Sequence, residues 1–418
     1  MEIRQRPESV LFAPWGNGMG HLMRMVVLAV EAEKTGCRAT IAVMDDEQED
    51  AVRARGVDCV RYLDWSEALD PWLVWSDPGY WLTAIGNDRV TLRETGADLV
   101  VVDSRLSMTV AAGLEDCRAV AVVQDMDFPD YVYPGRGRRE DLWDGVSVAL
   151  REALRAHGID WTHDDPREVV VDAGVVVPGT PESDDVPARH RGSARFVGPL
   201  TGYADAPSDD GLPERGAVLL YKTLSTRSDL GAFRAAFEDL MPRVHVATGS
   251  AREAQALAAA PELAGAHVAE SWNVTGPHAA RLAAAVIHGG HGTMLHMAQA
   301  GVPCLVVPDL SPERYANACK AGRFGSMRAV LDGLDPADLT WSAQSSSDGA
   351  ADFAAVRREL DALLQDAGAH ARAAHLATAY ADHTVERAWR EVLDVATVPR
   401  TARLPVDATA AAGPRDAG

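Results

Sequence analysis

The sequence is short of lysine, of pairable cysteines and of long apolar runs, and each shortage narrows what the chain can be. Lysine occurs only at 34, 222 and 320 while arginine is abundant, the bias of a GC-rich bacterial genome, and the net charge is −21. So acidic a chain repels nucleic acid and anionic membranes, and neither is an expected partner. Any anionic ligand must be held locally, by helix ends and a few basic groups. Cys37, Cys59, Cys117, Cys304 and Cys319 are odd in number and scattered, which fits neither a disulfide framework nor a zinc site. They read as reduced core cysteines of a cytoplasmic protein. The stretch MEIRQRPESV is charged and has no apolar signal region, and no apolar run approaches membrane-spanning length.

What is present is enough for two ordinary domains: 418 residues, 47% hydrophobic and 24% charged. SVLFAP, ATIAVM, LVVVDS, AVAVVQ and AGVVVPG read as buried strands, with helical spacing between the first two and Gly36 as a stop signal. After a Gly/Pro/Asp-rich interruption the alternation resumes with AVLLYK, RVHVATG, HVAES, AAVIHGG and PCLVVPD. Such alternation predicts α/β architecture with parallel, doubly wound sheets. The boundaries follow as a first domain over 1–199, a linker over 200–215 and a second domain over 216–375. A closing helix over 376–396 is expected to pack back on the first domain, and the Pro/Ala-rich stretch 397–418 to be a disordered tail.

Two strand-to-helix junctions carry the chemistry. The first, LFAPWGNGMGHLMRM over residues 11–25, admits two readings. A dinucleotide cradle of a nicotinamide-dependent oxidoreductase wants G-x-G-x-x-G and a ribose-binding acid; Gly16, Gly18 and Gly20 give G-x-G-x-G, with Asp45 where the acid would stand. Alternatively His21 removes a proton from an acceptor, since a helix N-terminus favours the neutral imidazole such a base requires. The second junction is HGGHGT over residues 288–293, where glycines let backbone N–H groups face a diphosphate at a helix start.

Around that second junction several spaced elements accumulate: Trp272, the turn His288–Thr293, GVP at 301–303, Pro308 and Asn317-Ala318. Together they resemble the nucleotide-sugar signature of family 1 glycosyltransferases of bacterial natural-product biosynthesis. The resemblance implies a GT-B fold, two Rossmann-like domains facing across a cleft, and inverting transfer from a nucleoside-diphosphate sugar to a small-molecule acceptor without metal or other cofactor. It leaves a homodimer open.

Carried over, the resemblance assigns the nucleotide base to Trp272, Asn273 and Val274, and the diphosphate to His288, Gly290, Gly292 and Thr293. Gly20 would lie on the donor side of the first turn. Donor sugar hydroxyls would fall to Glu313 and Arg314, where relatives carry an acidic-Gln pair, and His296 replaces a ribose-binding glutamate common in UDP-sugar enzymes. The stretch YKTLS lacks the usual phosphate-touching glycine but offers Lys222, Thr223 and Ser225. His21 becomes the general base. Asp103, at the end of LVVVDS, is its expected orienter, because neighbouring strand ends converge at one edge of a parallel sheet.

Trp15, Trp65, Trp72, Trp75, Tyr80 and Trp81 are candidates for an aromatic acceptor wall, or else for a loop tied down by its own rings. Two metal readings are set aside. Asp125-x-Asp127 is a short, common pattern, and His288, His291 and His296 match no zinc spacing. The rival functions are the oxidoreductase and a sugar-nucleotide-binding relative without catalysis.

Overall fold

The structure, a computed structural model, describes residues 6–16, 19–62, 74–134, 140–159, 161, 164–200, 214–270, 276–339 and 352–397. The chain forms two compact units. One is built from Met1–Val132, Arg138–Tyr203 and Thr384–Gly418, the other from Tyr133–Gly137 and Ala204–His383.

The first unit holds strands β1 (Ser9–Pro14), β2 (Arg38–Val43), β3 (Asp58–Arg61), β4 (Leu99–Asp103), β5 (Arg118–Val122), β6 (Val175–Val177) and β7 (Arg195–Phe196). All pair in parallel, in the order β3-β2-β1-β4-β5-β6-β7. The central strands read as unbroken apolar runs because both sheet faces are covered. In β1, Leu11 and Ala13 enter one core while Val10 and Phe12 enter the other.

The second unit repeats the plan with β8 (Ala217–Tyr221), β9 (Val244–Ala247), β10 (His267–Ala269), β11 (Leu282–Ile287), β12 (Cys304–Val306) and β13 (Met327–Ala329). Its order is β10-β9-β8-β11-β12-β13, again parallel. Val218 and Leu220 face one core and Leu219 the other. In both sheets the winding reverses beside the first strand, between β1 and β4 and between β8 and β11. Crevices at the carboxyl ends of such strand pairs are where doubly wound sheets bind ligands.

The end of the described chain is three helices, Phe353–Leu364, Ala367–Tyr380 and Val385–Thr397. The chain passes from the second unit to the first at Thr384 rather than at 376. Trp389 of the last helix is fully buried in the first unit, 6.0 Å from the Phe12 ring, with Nε1 donating to Thr35 Oγ1 at 3.0 Å. The stretches read as linker and tail fall mostly on 201–213 and 398–418, outside the described residues. No helix among the described residues is long and apolar enough to cross a membrane.

Candidate active site

In the first unit the switch point gathers Trp15, His21, Arg24 and Asp103. Parallel pairing sets Pro14 opposite Asp103, and the Trp15 amide donates to the Asp103 carbonyl at 2.9 Å. The chain then enters the Met19–Lys34 helix, whose first turns bring His21 and Arg24 over the end of β4. His21 Nδ1 lies 2.7 Å from Asp103 Oδ1, while Arg24 donates from Nε to Oδ2 and from Nη2 to Oδ1, each at 2.9 Å. Nδ1 also lies 2.9 Å from Arg24 Nη2, which only donates; the shorter contact, to a carboxylate that only accepts, favours the tautomer with its proton on Nδ1 and the Nε2 lone pair free. Asp103 is 0% exposed, whereas the His21 side chain retains 15%. Burial alone would raise the Asp103 carboxyl; the charges of Arg24 and His21 outweigh it and hold the group below the ordinary aspartate range.

A second carboxyl adjoins this cluster. Ser104, in the left-handed region at φ 54°, places Oγ 3.3 Å from Asp103 Oδ1 and 3.0 Å from Asp127 Oδ2. The Gln124 amide donates to the same Asp127 oxygen at 2.9 Å. Asp127 stands above the ordinary range, chiefly through burial, against the pull of the Gln124 amide and of His21. Neighbouring Asp125 is engaged elsewhere: its Oδ2 accepts from the Asp185 amide at 2.7 Å, and its own amide donates to Asp184 at 3.2 Å. Among the described residues no group of three or more His, Cys, Asp or Glu side chains is arranged to hold a metal.

In the second unit the corresponding point is the turn after β11. Gly289 has φ 87°, and a Cβ there would lie 3.0 Å from the Arg314 carbonyl and 3.1 Å from Val306 Cγ1, so only glycine suits it. Asn317 Nδ2 donates to the Gly289 carbonyl at 3.0 Å and fixes the turn from below. Gly290 is the N-cap of the His291–Ala300 helix and supplies no side-chain cap, which leaves the helix's first amides to an incoming ligand. A Cβ on Gly290 would stand 2.8 Å from His288 Nε2, whereas Gly292 faces open space. Thr293 sits at the third helical position.

Positive charge gathers at the same end of the sheet. Lys222 follows β8 directly in the left-handed conformation, φ 53°, with Nζ 5.6 Å from the Tyr221 ring centroid. Burial, reinforced by Arg314 and Lys222, pushes His288 well below the ordinary histidine range, so the ring is neutral at physiological pH. Partial burial and Arg314 lower Lys222 in turn. Thr223 Oγ1 is buried without a hydrogen-bond partner among the described residues, and Ser225 is tied to Ser228.

Several expectations need correction. Trp75, Tyr80 and Trp81 are 7, 4 and 2% exposed and belong to the core, with Trp81 Nε1 donating to the Trp75 carbonyl at 2.7 Å. The Pro78–Thr95 helix turns Tyr80 and Trp81 inward, and Trp75, which precedes it, packs 6.1 Å from Trp81. Trp15 is the partly exposed member, edge-on to His21 at 5.5 Å and 5.6 Å from Trp75. Trp65, Trp72, Trp272, Asn273 and Val274 lie outside the described residues. Arg314 is ion-paired with Asp309, and Glu313 stands in the first turn of the Pro312–Lys320 helix. Asp45, the acid of the dinucleotide alternative, caps the Asp46–Arg53 helix by accepting from the Gln48 amide at 2.8 Å. Gly20 is exposed in the first helical turn with nothing crowding it.

Arg24 was not expected here, Asp127 entered only through a metal pattern that was set aside, and Gly289 and Asn317 were read only as elements of the signature. An arginine inside the apolar run LMRMVV, three residues after His21, was the available signal for Arg24, because i,i+3 residues share a helix face.

Two parallel sheets wound alike, each with polar groups at its switch point, make this a GT-B fold. Solved natural-product glycosyltransferases share it over nearly the whole chain. CalG4, the calicheamicin glycosyltransferase, is 20% identical with a TM-score of 0.67, covering 94% of this chain and 98% of that one. SnogD from Streptomyces nogalater is 19% identical with a TM-score of 0.62, covering 94% and 100%. The spinosyn rhamnosyltransferase SpnG, complexed with thymidine diphosphate, is 19% identical with a TM-score of 0.63, covering 92% and 100%. No protein-family model and no curated protein matches the sequence.

Proposed function

We propose that the protein is an inverting glycosyltransferase that moves a sugar from a nucleoside-diphosphate donor to a small-molecule acceptor, with His21 as general base. The observation that carries this is the 2.7 Å contact between His21 Nδ1 and a buried, ionised Asp103, which leaves Nε2 free to take the acceptor proton. The acceptor oxygen attacks the anomeric carbon, its proton goes to Nε2, and the nucleoside diphosphate leaves. Charge developing on the diphosphate is met by the amides opening the His291–Ala300 helix, by Thr293 and His288, and by Lys222. Glu313 and Arg314 are assigned to the donor sugar and Trp272, Asn273 and Val274 to the base. With cationic groups already in place, transfer is expected to survive chelation of divalent metals. Because SpnG was solved with thymidine diphosphate, that nucleotide is the first to test.

The test is product formation, read by mass spectrometry, from TDP- and UDP-sugars with a panel of phenolic and alcoholic aglycones. Thermal shift with the bare nucleotides and with NAD(P) accompanies it. Stabilisation by NAD(P) alone would return the dinucleotide reading. Nucleotide binding with no transfer to any acceptor would favour the silent relative.

A further inference from the structure

Asp103 cannot by itself balance the charge that His21 acquires. It accepts from His21 Nδ1, Arg24 Nε, Arg24 Nη2 and Ser104 Oγ, and the guanidinium already matches its single negative charge. Once His21 takes a proton, His21, Arg24 and Asp103 carry a net positive charge around a fully buried carboxylate. Uncompensated charge in such surroundings is costly.

The structure supplies a second carboxyl where that charge appears. Asp127 follows β5, the strand paired with β4, so its loop opens at the same sheet edge as Asp103. Its Oδ2 is held by the Gln124 amide and by Ser104 Oγ, and Ser104 reaches both carboxyls from a left-handed backbone that a serine adopts only against strain.

We infer that Asp127 is a positioning residue of this site: ionised, it supplies the negative charge that Arg24 withdraws from Asp103, and so stabilises the His21 imidazolium. The inference rests on the reading of His21 as base. Among the described residues the charged groups that face Asp127 are His21 and Asp103, and they act on it in opposite senses. No proton passes between Asp127 and His21. The acceptor's proton stays on Nε2 until product leaves, and Asp127 exchanges its own with water.

The test follows the imidazole Cε1–H signal of His21 through a pH titration of the whole protein, identified by its loss in His21→Gln. In wild type the signal shows a second inflection as Asp127 ionises. In Asp127→Asn the main midpoint moves to lower pH by roughly half a unit, about a threefold loss of proton affinity, and Asp127→Glu restores it. A single-site wild-type curve, or an unmoved midpoint in a folded Asp127→Asn, overturns the inference. The wild-type curve decides even if the variant does not fold. A near-normal turnover in His21→Ala would instead end the base reading and leave the titration result intact.

Discussion

His21 and Arg24, one turn apart on the same helix, converge on one oxygen: Nδ1 and Nη2 both approach Asp103 Oδ1, at 2.7 and 2.9 Å, and lie 2.9 Å from each other. The arginine keeps the aspartate ionised and immobile, which fixes the imidazole's tautomer and direction. It also weakens the aspartate's hold on an imidazolium. Orientation and charge compensation, joined in a simple dyad, are therefore divided here between two carboxylates.

Replacing His21 by alanine is expected to lower turnover of a neutral hydroxyl acceptor by roughly 10²–10⁴-fold, the usual contribution of a positioned base. Nucleotide affinity should be unchanged. An acceptor that is already anionic, such as a thiolate, should lose far less, and steady-state kinetics with both acceptor types checks the contrast.

The two carboxyls should respond oppositely in stability. Asp103 is depressed, so its contribution is complete above its unfolded value of about 3.9 and is lost as pH falls through the folded value below that. Asp103→Asn should thus cost about 3–5 kcal/mol at pH 7, because buried Arg24 loses its partner. Asp127 is raised, so its contribution is present below the same reference and lost as pH climbs through the raised value. Asp127→Asn should raise Tm at pH 7 and leave it unchanged in acid. Thermal melts across the pH range decide both.

At the donor turn, Gly290→Val and Thr293→Val should each weaken nucleoside-diphosphate binding by about 1–3 kcal/mol, with the fold retained. Lys222→Met should weaken it too and flatten its salt dependence, since a removed cation no longer contributes a screened attraction. Calorimetry at two ionic strengths reads both effects. Equal affinity in all three variants would remove this turn from the donor site.

Aromatic substitutions separate wall from support. Trp81→Ala should cost about 3–5 kcal/mol of folding stability, as expected for a buried ring. Trp15→Ala should fold well and raise the acceptor KM, with little change in the donor KM.

The doubly wound plan was legible because strands such as SVLFAP and LVVVDS are apolar on both faces, and only a covered parallel sheet wants that. The edge strands β3, DCVR, and β13, MRA, were not: each is short, has at least one residue not fully buried and shows no period. His21, Asp103 and the 288–293 turn could be singled out because glycine punctuation and strand ends are local features. Arg24 carried only the weaker signal of its spacing from His21, since its partner is 79 residues away and tertiary pairing joins them. The rings at 75, 80 and 81 left two readings open for a related reason. Composition marks an aromatic cluster, but the phase of a helix decides whether it faces ligand or core.

Trp389 gives the molecule a schedule. It fills the first unit's core from the far end of the chain, and its bond to Thr35 spans 354 residues. At a synthesis rate of roughly 5–20 residues per second, Thr35 waits on the order of 20–70 s for that side chain. During this interval the surface around Phe12 stays open, so the second unit can complete its core at nearly the same time as the first, which precedes it in sequence. The order of emergence from the ribosome is thus not the order of completion.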